Sequence, residues 1–144
     1  MKGVLSVFVL GNLSVMGWIN LVLILILVWL FGGQFYTYFI GKRHATIVSN
    51  EDFKKGMHRA QVIDVREPND FKKGHILGAR NMPFSQFKLF KDSLRKDMPI
   101  YLYDDTKTVA PRMASKLHKN GYNDIYILKS GYDKWDGKTK SKRA

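Results

Sequence analysis

Asp104 is the residue in this chain best placed to do chemistry. It ends an apolar strand, Pro99-Ile100-Tyr101-Leu102-Tyr103, and opens a polar loop, Asp105-Thr106-Lys107-Thr108. A helical pattern then starts near Ala110, with Met113, Ala114 and Leu117 following at one- to three-residue steps along one face. A loop from a strand end to a helix N-terminus can cradle an anion or present a reactive side chain. A carboxylate there could accept a phosphoryl group, a reaction that needs a divalent cation to offset charge. Here, however, Thr106 stands two residues on, and the following helix is basic. Asp104, Asp105 and Asp64 do not follow a metal-ligand spacing, so neither metal nor cofactor is expected. The chain contains no cysteine, which excludes disulfides, thiolate metal sites and persulfide chemistry.

The elements that must position this loop are legible as alternating apolar patterns. Ala45-Thr46-Ile47-Val48 reads as a short strand, and Ser49 or Asn50 caps a helix with Glu51 and Asp52 in its first turn. Gln61-Val62-Ile63-Asp64-Val65 is a second strand, and Ala79-Arg80-Asn81-Met82 a weak third. Phe84, Phe87, Phe90 and Leu94 recur at helical spacing and predict one amphipathic helix. The helix after the loop tolerates Pro111 in its first turn and stops at Gly121. Ile125-Tyr126-Ile127-Leu128 is the last strand, followed by a short helical turn around Gly131–Trp135. This alternation predicts an α/β fold, a mostly parallel sheet flanked by helices. Sites in such sheets lie beyond the carboxyl ends of the strands, which is where Asp104 falls.

Three stretches together resemble the rhodanese domain. The first is Val62-Ile63-Asp64-Val65-Arg66-Glu67-Pro68, then Phe71, then Gly74-His75-Ile76-Leu77-Gly78-Ala79-Arg80-Asn81-Met82-Pro83. It is similar to that family's DVRE…GHIPGAxNIP segment. The second is Tyr101-Leu102-Tyr103 with the loop and the helix ending at Asn120-Gly121-Tyr122. The third is Leu128-Lys129-Ser130-Gly131-Tyr132-Asp133-Lys134-Trp135. The resemblance implies a rhodanese-like fold over residues 46–137. It implies structural roles for Asp64, Arg66, Glu67, Gly74, His75, Gly78, Ala79, Gly131 and Trp135. Asp64 and Arg66 read as an internal charged pair at a strand end, while His44, His58 and His118 read as solvated.

The family carries a C-x-x-G-x-R-S loop whose cysteine accepts the transferred sulfur. Counting back 17 residues from Gly121 reaches Asp104. The loop here is therefore Asp104-Asp105-Thr106-Lys107-Thr108-Val109-Ala110: the cysteine has become Asp104, the glycine Lys107, the arginine Val109 and the serine Ala110. A carboxylate cannot form a persulfide. Asp104 and Asp105 are expected to place two negative charges at the mouth of a site that must attract an anion. The loop is thus a degenerate active site with no catalytic residue, and the chain is expected not to be an enzyme. The alternative is an enzyme of sulfurtransferase or phosphatase type that uses a non-cysteine site.

The first forty residues have a different character. No charged residue occurs from Gly3 to Gly41, and Leu21–Phe31 is unbroken hydrophobe. Residues 18–40 predict one transmembrane helix, in which Trp18 to Tyr38 alone spans about 30 Å at 1.5 Å per residue. Trp18 lies at one end and Tyr36 and Tyr38 at the other, as in aromatic belts. Residues 1–17 form a short segment uncharged beyond Lys2, and Met16 is a second candidate start. Residues 41–45 form a basic juxtamembrane linker, and residues 138–144 a basic disordered tail. The net charge is +12, and of the 24 basic residues only Lys2 precedes the apolar stretch. By the positive-inside rule the soluble domain is cytoplasmic and the N-terminus outside the cell membrane. The expected partners are the lipid bilayer and an unidentified protein. Lys42, Arg43 and the tail cations Lys138, Lys140, Lys142 and Arg143 are expected to meet anionic lipid. Nucleic acid is disfavoured, since no stacking-aromatic pattern accompanies the lysines.

Overall fold

The structure, a computed structural model, describes residues 14–141, apart from the side chains of 37, 38 and 40–43. The expected N-terminal segment up to residue 13, the Lys42 and Arg43 side chains, and Lys142 and Arg143 lie outside the described residues. The chain divides between Tyr36 and Thr37 into two compact units.

The first helix, α1 (Val15–His44), is opened by Ser14, whose hydroxyl accepts from the Gly17 N–H at 3.3 Å. Its Val15–Tyr36 part is 22 residues long, has a mean hydropathy of 2.4, and is not buried against protein. It is apolar all round and long enough to cross a membrane. The helix continues past residue 40 through most of the expected linker.

The second unit contains β1 (Thr46–Val48), α2 (Asn50–Gly56), β2 (Gln61–Asp64), α3 (Pro68–Lys73), β3 (His75–Ile76) and β4 (Arg80–Asn81). These are followed by α4 (Phe87–Phe90), β5 (Ile100–Tyr103), α5 (Ala110–Lys119), β6 (Ile125–Leu128) and β7 (Thr139–Lys140). The main sheet has the order β1-β6-β5-β2-β4, and every pairing in it is parallel. Side chains alternate across it, as the strand period requires. Ile63, Leu102 and Ile127 pack with Ala110, Met113, Ala114 and Leu117 of α5 on one face. Val62, Tyr101, Tyr103 and Leu128 pack with Phe53 of α2 on the other. Trp135 lies edge-on against Phe53, ring centres 5.6 Å apart.

Four features differ from the sequence expectations. Residues 68–73 form α3, which starts on Pro68, a residue pre-set for a first helical turn. The Phe84–Leu94 pattern is not one helix but three short pieces, broken at Gln86 (φ −109°, ψ 19°) and Phe90 (φ −111°, ψ −10°). The expected disordered tail is ordered where it begins: Thr139 and Lys140 pair antiparallel with Ile76 and His75, and Leu77 N–H donates to the Lys138 carbonyl at 3.0 Å. That short ladder satisfies backbone groups of β3 which no main-sheet strand reaches. Finally, His44 and His118 do not stand singly: their rings stack at 4.2 Å, with His118 still exposed.

Candidate functional site

Because the main sheet is parallel, the carboxyl ends of β1, β2, β5 and β6 share one edge. The Asp104–Ala110 loop leaves β5 there and enters α5. Asp104 does not reach toward solvent: it is 3% exposed. Its carboxylate folds back into its own loop. Oδ1 accepts from Lys107 N–H, and Oδ2 accepts from Val109 N–H at 2.5 Å and Ala110 N–H at 2.9 Å. Three backbone donors thus converge on one internal anion. Lys107 adopts φ 62°, a left-handed conformation that glycine takes more readily. The backbone keeps that turn although the residue is lysine.

This corrects the expectation of two negative charges at the loop mouth. Asp104 is sealed inside, and Asp105 is paired with Arg66 at 3.0 Å. Arg66 is the hub of the edge, with 8% exposure. Its Nε and Nη2 grip the fully buried Asp64 carboxylate at 2.6–3.1 Å. Its Nη2 also donates to the Gly74 carbonyl at 2.6 Å. The guanidinium lies 4.2 Å from the Tyr132 ring centre, a cation–π contact in a desolvated setting. Burial alone would lower the Arg66 pKa, but the hydrogen bonds and charges of Asp64, and then of Asp105, raise it above its ordinary value.

The third resembling stretch closes over this network. Tyr132 N–H donates to the Asp104 carbonyl at 2.7 Å. Gly131 has φ 71°, and a Cβ there would sit 2.0 Å from the Asp105 carbonyl oxygen, so only glycine permits the approach. Tyr103 lies under the loop, and its hydroxyl accepts from Ile76 N–H at 3.0 Å. Burial first, then the Asp64 charge, push the Tyr103 pKa well above its usual value.

The other motif residues support the edge. His75 stacks on Phe71 at 3.7 Å and its Nδ1 meets the Phe71 carbonyl at 2.8 Å. Glu67 precedes α3 and accepts from the Ser85 hydroxyl at 2.9 Å. Gly78 turns with φ 86°, and Ala79 packs on the second core. Thr108 is exposed.

Beside the loop lies an open cleft of about 610 Å³. Asp105, Thr106 and Lys107 form one wall; Ser49, Asn50, Lys129, Ser130, Asp133 and Lys134 complete it. Ser130 donates to Asn50 Oδ1, and Asn50 donates to the Lys134 carbonyl at 2.9 Å, so the ends of β1 and β6 are tied together. Sequence reading missed Tyr103, Tyr132 and this cleft. Period-two alternation from Leu102 would have placed Tyr103 on the opposite face; nothing in the sequence marked the cleft. Among the described residues, no three metal-ligating side chains converge.

A parallel sheet with this loop at its carboxyl edge, an Asp64–Arg66 pair below and a glycine-tyrosine turn above defines a rhodanese-like domain. Residues 49–138 match the rhodanese-like domain family, and the chain belongs to it. It is 48% identical over 107 residues to YqhL of Bacillus subtilis, an uncharacterized protein, covering 74% of this chain and 85% of YqhL. It is 29% identical over 76 residues to the thiosulfate sulfurtransferase GlpE of Pseudomonas aeruginosa, covering 53% of this chain and 69% of GlpE. The solution structure of the rhodanese-like domain of Anabaena Alr3790 superposes with a TM-score of 0.60 at 24% identity, covering 65% of this chain and 77% of that one. That likeness concerns the fold.

Proposed function

We propose that this chain is a membrane-anchored, catalytically inactive rhodanese-like module that binds a protein partner through its carboxyl edge on the cytoplasmic side. The observation that carries this reading is the inward carboxylate of Asp104. It uses the N–H donors that would otherwise hold a bound anion, and no thiol exists to take sulfur. The outer rim of the loop and the adjoining cleft stay accessible and polar, which suits recognition of another molecule. The apolar α1 supplies the anchor, and the charge asymmetry around it favours a cytoplasmic domain.

Three experiments test the reading. Crosslinking and pulldown from membranes should recover a partner with the wild type and lose it when residues 104–110 are exchanged for a C-x-x-G-x-R-S loop. Equal recovery from both would remove the edge as the docking site. Thiosulfate-dependent cyanide sulfuration or phosphatase turnover that disappears in Asp104→Ala would favour an enzyme instead. Protease added outside spheroplasts should leave the domain intact; digestion from that side would reverse the orientation.

A further inference from the structure

The α5 helix has two unlike faces. Ala110, Met113, Ala114 and Leu117 are buried, while Arg112, Lys116 and Lys119 form an exposed line at positions i, i+4 and i+7. The line continues onto the neighbouring segment. Arg112 and Lys116 lie over the Phe84 ring at 4.8 and 4.2 Å, and Lys116 also approaches Phe87 at 5.4 Å. Next to Phe87 stand Lys88 and Leu89, and Leu89 is 77% exposed. Tyr122 joins the far end: its hydroxyl donates to the Lys91 carbonyl at 2.6 Å, and Lys96 lies 5.5 Å over its ring. Arg112, Lys116 and Lys96 thus lie over rings of this surface, and Lys88, Lys91 and Lys119 stand on the same two segments, which also carry Asp92 and Asp97. None of the six forms an ion pair among the described residues.

We propose that this basic face, with Leu89 exposed beside Lys88, is a docking surface for anionic lipid headgroups. The inference rests on reading α1 as a membrane span and goes beyond it, because it gives the folded domain its own lipid contact. A cationic surface with an exposed leucine beside a partly exposed Phe84 matches an interface where headgroup charge meets acyl carbon. Nucleic acid fits less well: Arg112 and Lys116 cover the Phe84 ring, leaving its face unavailable for base stacking. Tethering by α1 would raise the effective concentration of the domain at the bilayer, so modest individual attractions suffice. The face begins at Arg112, two residues beyond the Asp104–Ala110 loop, and continues along α5 to Lys119.

The absence of cysteine makes the test clean, since one introduced thiol labels one site. Full-length Gln86→Cys, carrying an environment-sensitive fluorophore, is placed in nanodiscs of neutral phosphatidylcholine or of the same lipid with phosphatidylglycerol. The expected result is a blue shift in the anionic discs that is absent in neutral discs and from a Lys129→Cys label. High salt and the triple change Arg112→Gln, Lys116→Gln, Lys119→Gln should each remove most of it. Identical emission in both disc types would overturn the proposal, as would a shift produced by duplex DNA or RNA and not by phosphatidylglycerol. A chain that fails to enter discs would sink the span and this inference together. Entry without lipid-dependent emission would sink the face alone.

Discussion

Arg66→Ala is expected to cost the domain about 3–5 kcal/mol, the cost of leaving a buried charge without its partner. Asp64 is fully buried, and its carboxylate has Arg66 as its ion-pair partner. Removing the guanidinium also orphans the Gly74 carbonyl and frees Asp105. Chemical unfolding of the two proteins should show the loss as a lower midpoint. The paired change Asp64→Leu with Arg66→Met should recover much of it, because replacing both ions by apolar groups removes the uncompensated charge. Recovery should be partial, since Asp64 Oδ1 also accepts from the Arg66 N–H at 2.9 Å. A single-variant loss under about 1 kcal/mol would place this pair with exposed surface bridges and defeat the argument.

Asp104→Ala is expected to cost about 2–4 kcal/mol and to create an anion site. Three N–H donors lose a charged acceptor, and hydrogen bonds to charged groups contribute about 1.5–3 kcal/mol each before water re-enters. The emptied cradle should then accept phosphate or thiosulfate. Such a ligand at a hundredfold excess over its Kd restores about 2.7 kcal/mol. The wild type, whose cradle is occupied by its own side chain, should show no such rescue beyond the general effect of salt. Unchanged stability in the variant, or equal anion rescue in both proteins, would refute self-occupation. Asp104→Cys extends the series. Its thiolate should be stabilised by the same donors and react with iodoacetamide below the usual thiol range. Thiosulfate turnover should still be absent, because Val109 replaces the family arginine and Asp105 remains near the rim.

The sequence made the main sheet, α5 and the position of the loop legible, because each is written in local periodicity. Strands β2, β5 and β6 alternate or run apolar, and Gly121 stops α5 with φ 88° as its type suggested. A cap at Ser49 or Asn50 was equally readable; Ser49 fills it, its hydroxyl accepting from Asp52 N–H at 3.2 Å. Less legible was what depends on distant chain segments. Strands β3 and β7 are two residues each and exist only through each other. The Phe84–Leu94 stripe had helical spacing, yet its rings pack through three short turns. The direction of Asp104 was hidden for another reason. Its type and place were clear, but only the backbone path of residues 107–110 shows that the charge turns inward.

Lys107 gives that inward turn a second meaning. A left-handed conformation costs a residue with a side chain about 1–2 kcal/mol, and Lys107 holds one at φ 62°. The loop is therefore a sprung catch: Asp104 is the latch, and the turn at Lys107 is the part under tension. A glycine at 107 would slacken the spring, so losing the latch would matter less in that background. A partner that drew the Asp104 carboxylate outward would let the turn unwind, and the loop would report binding by changing shape.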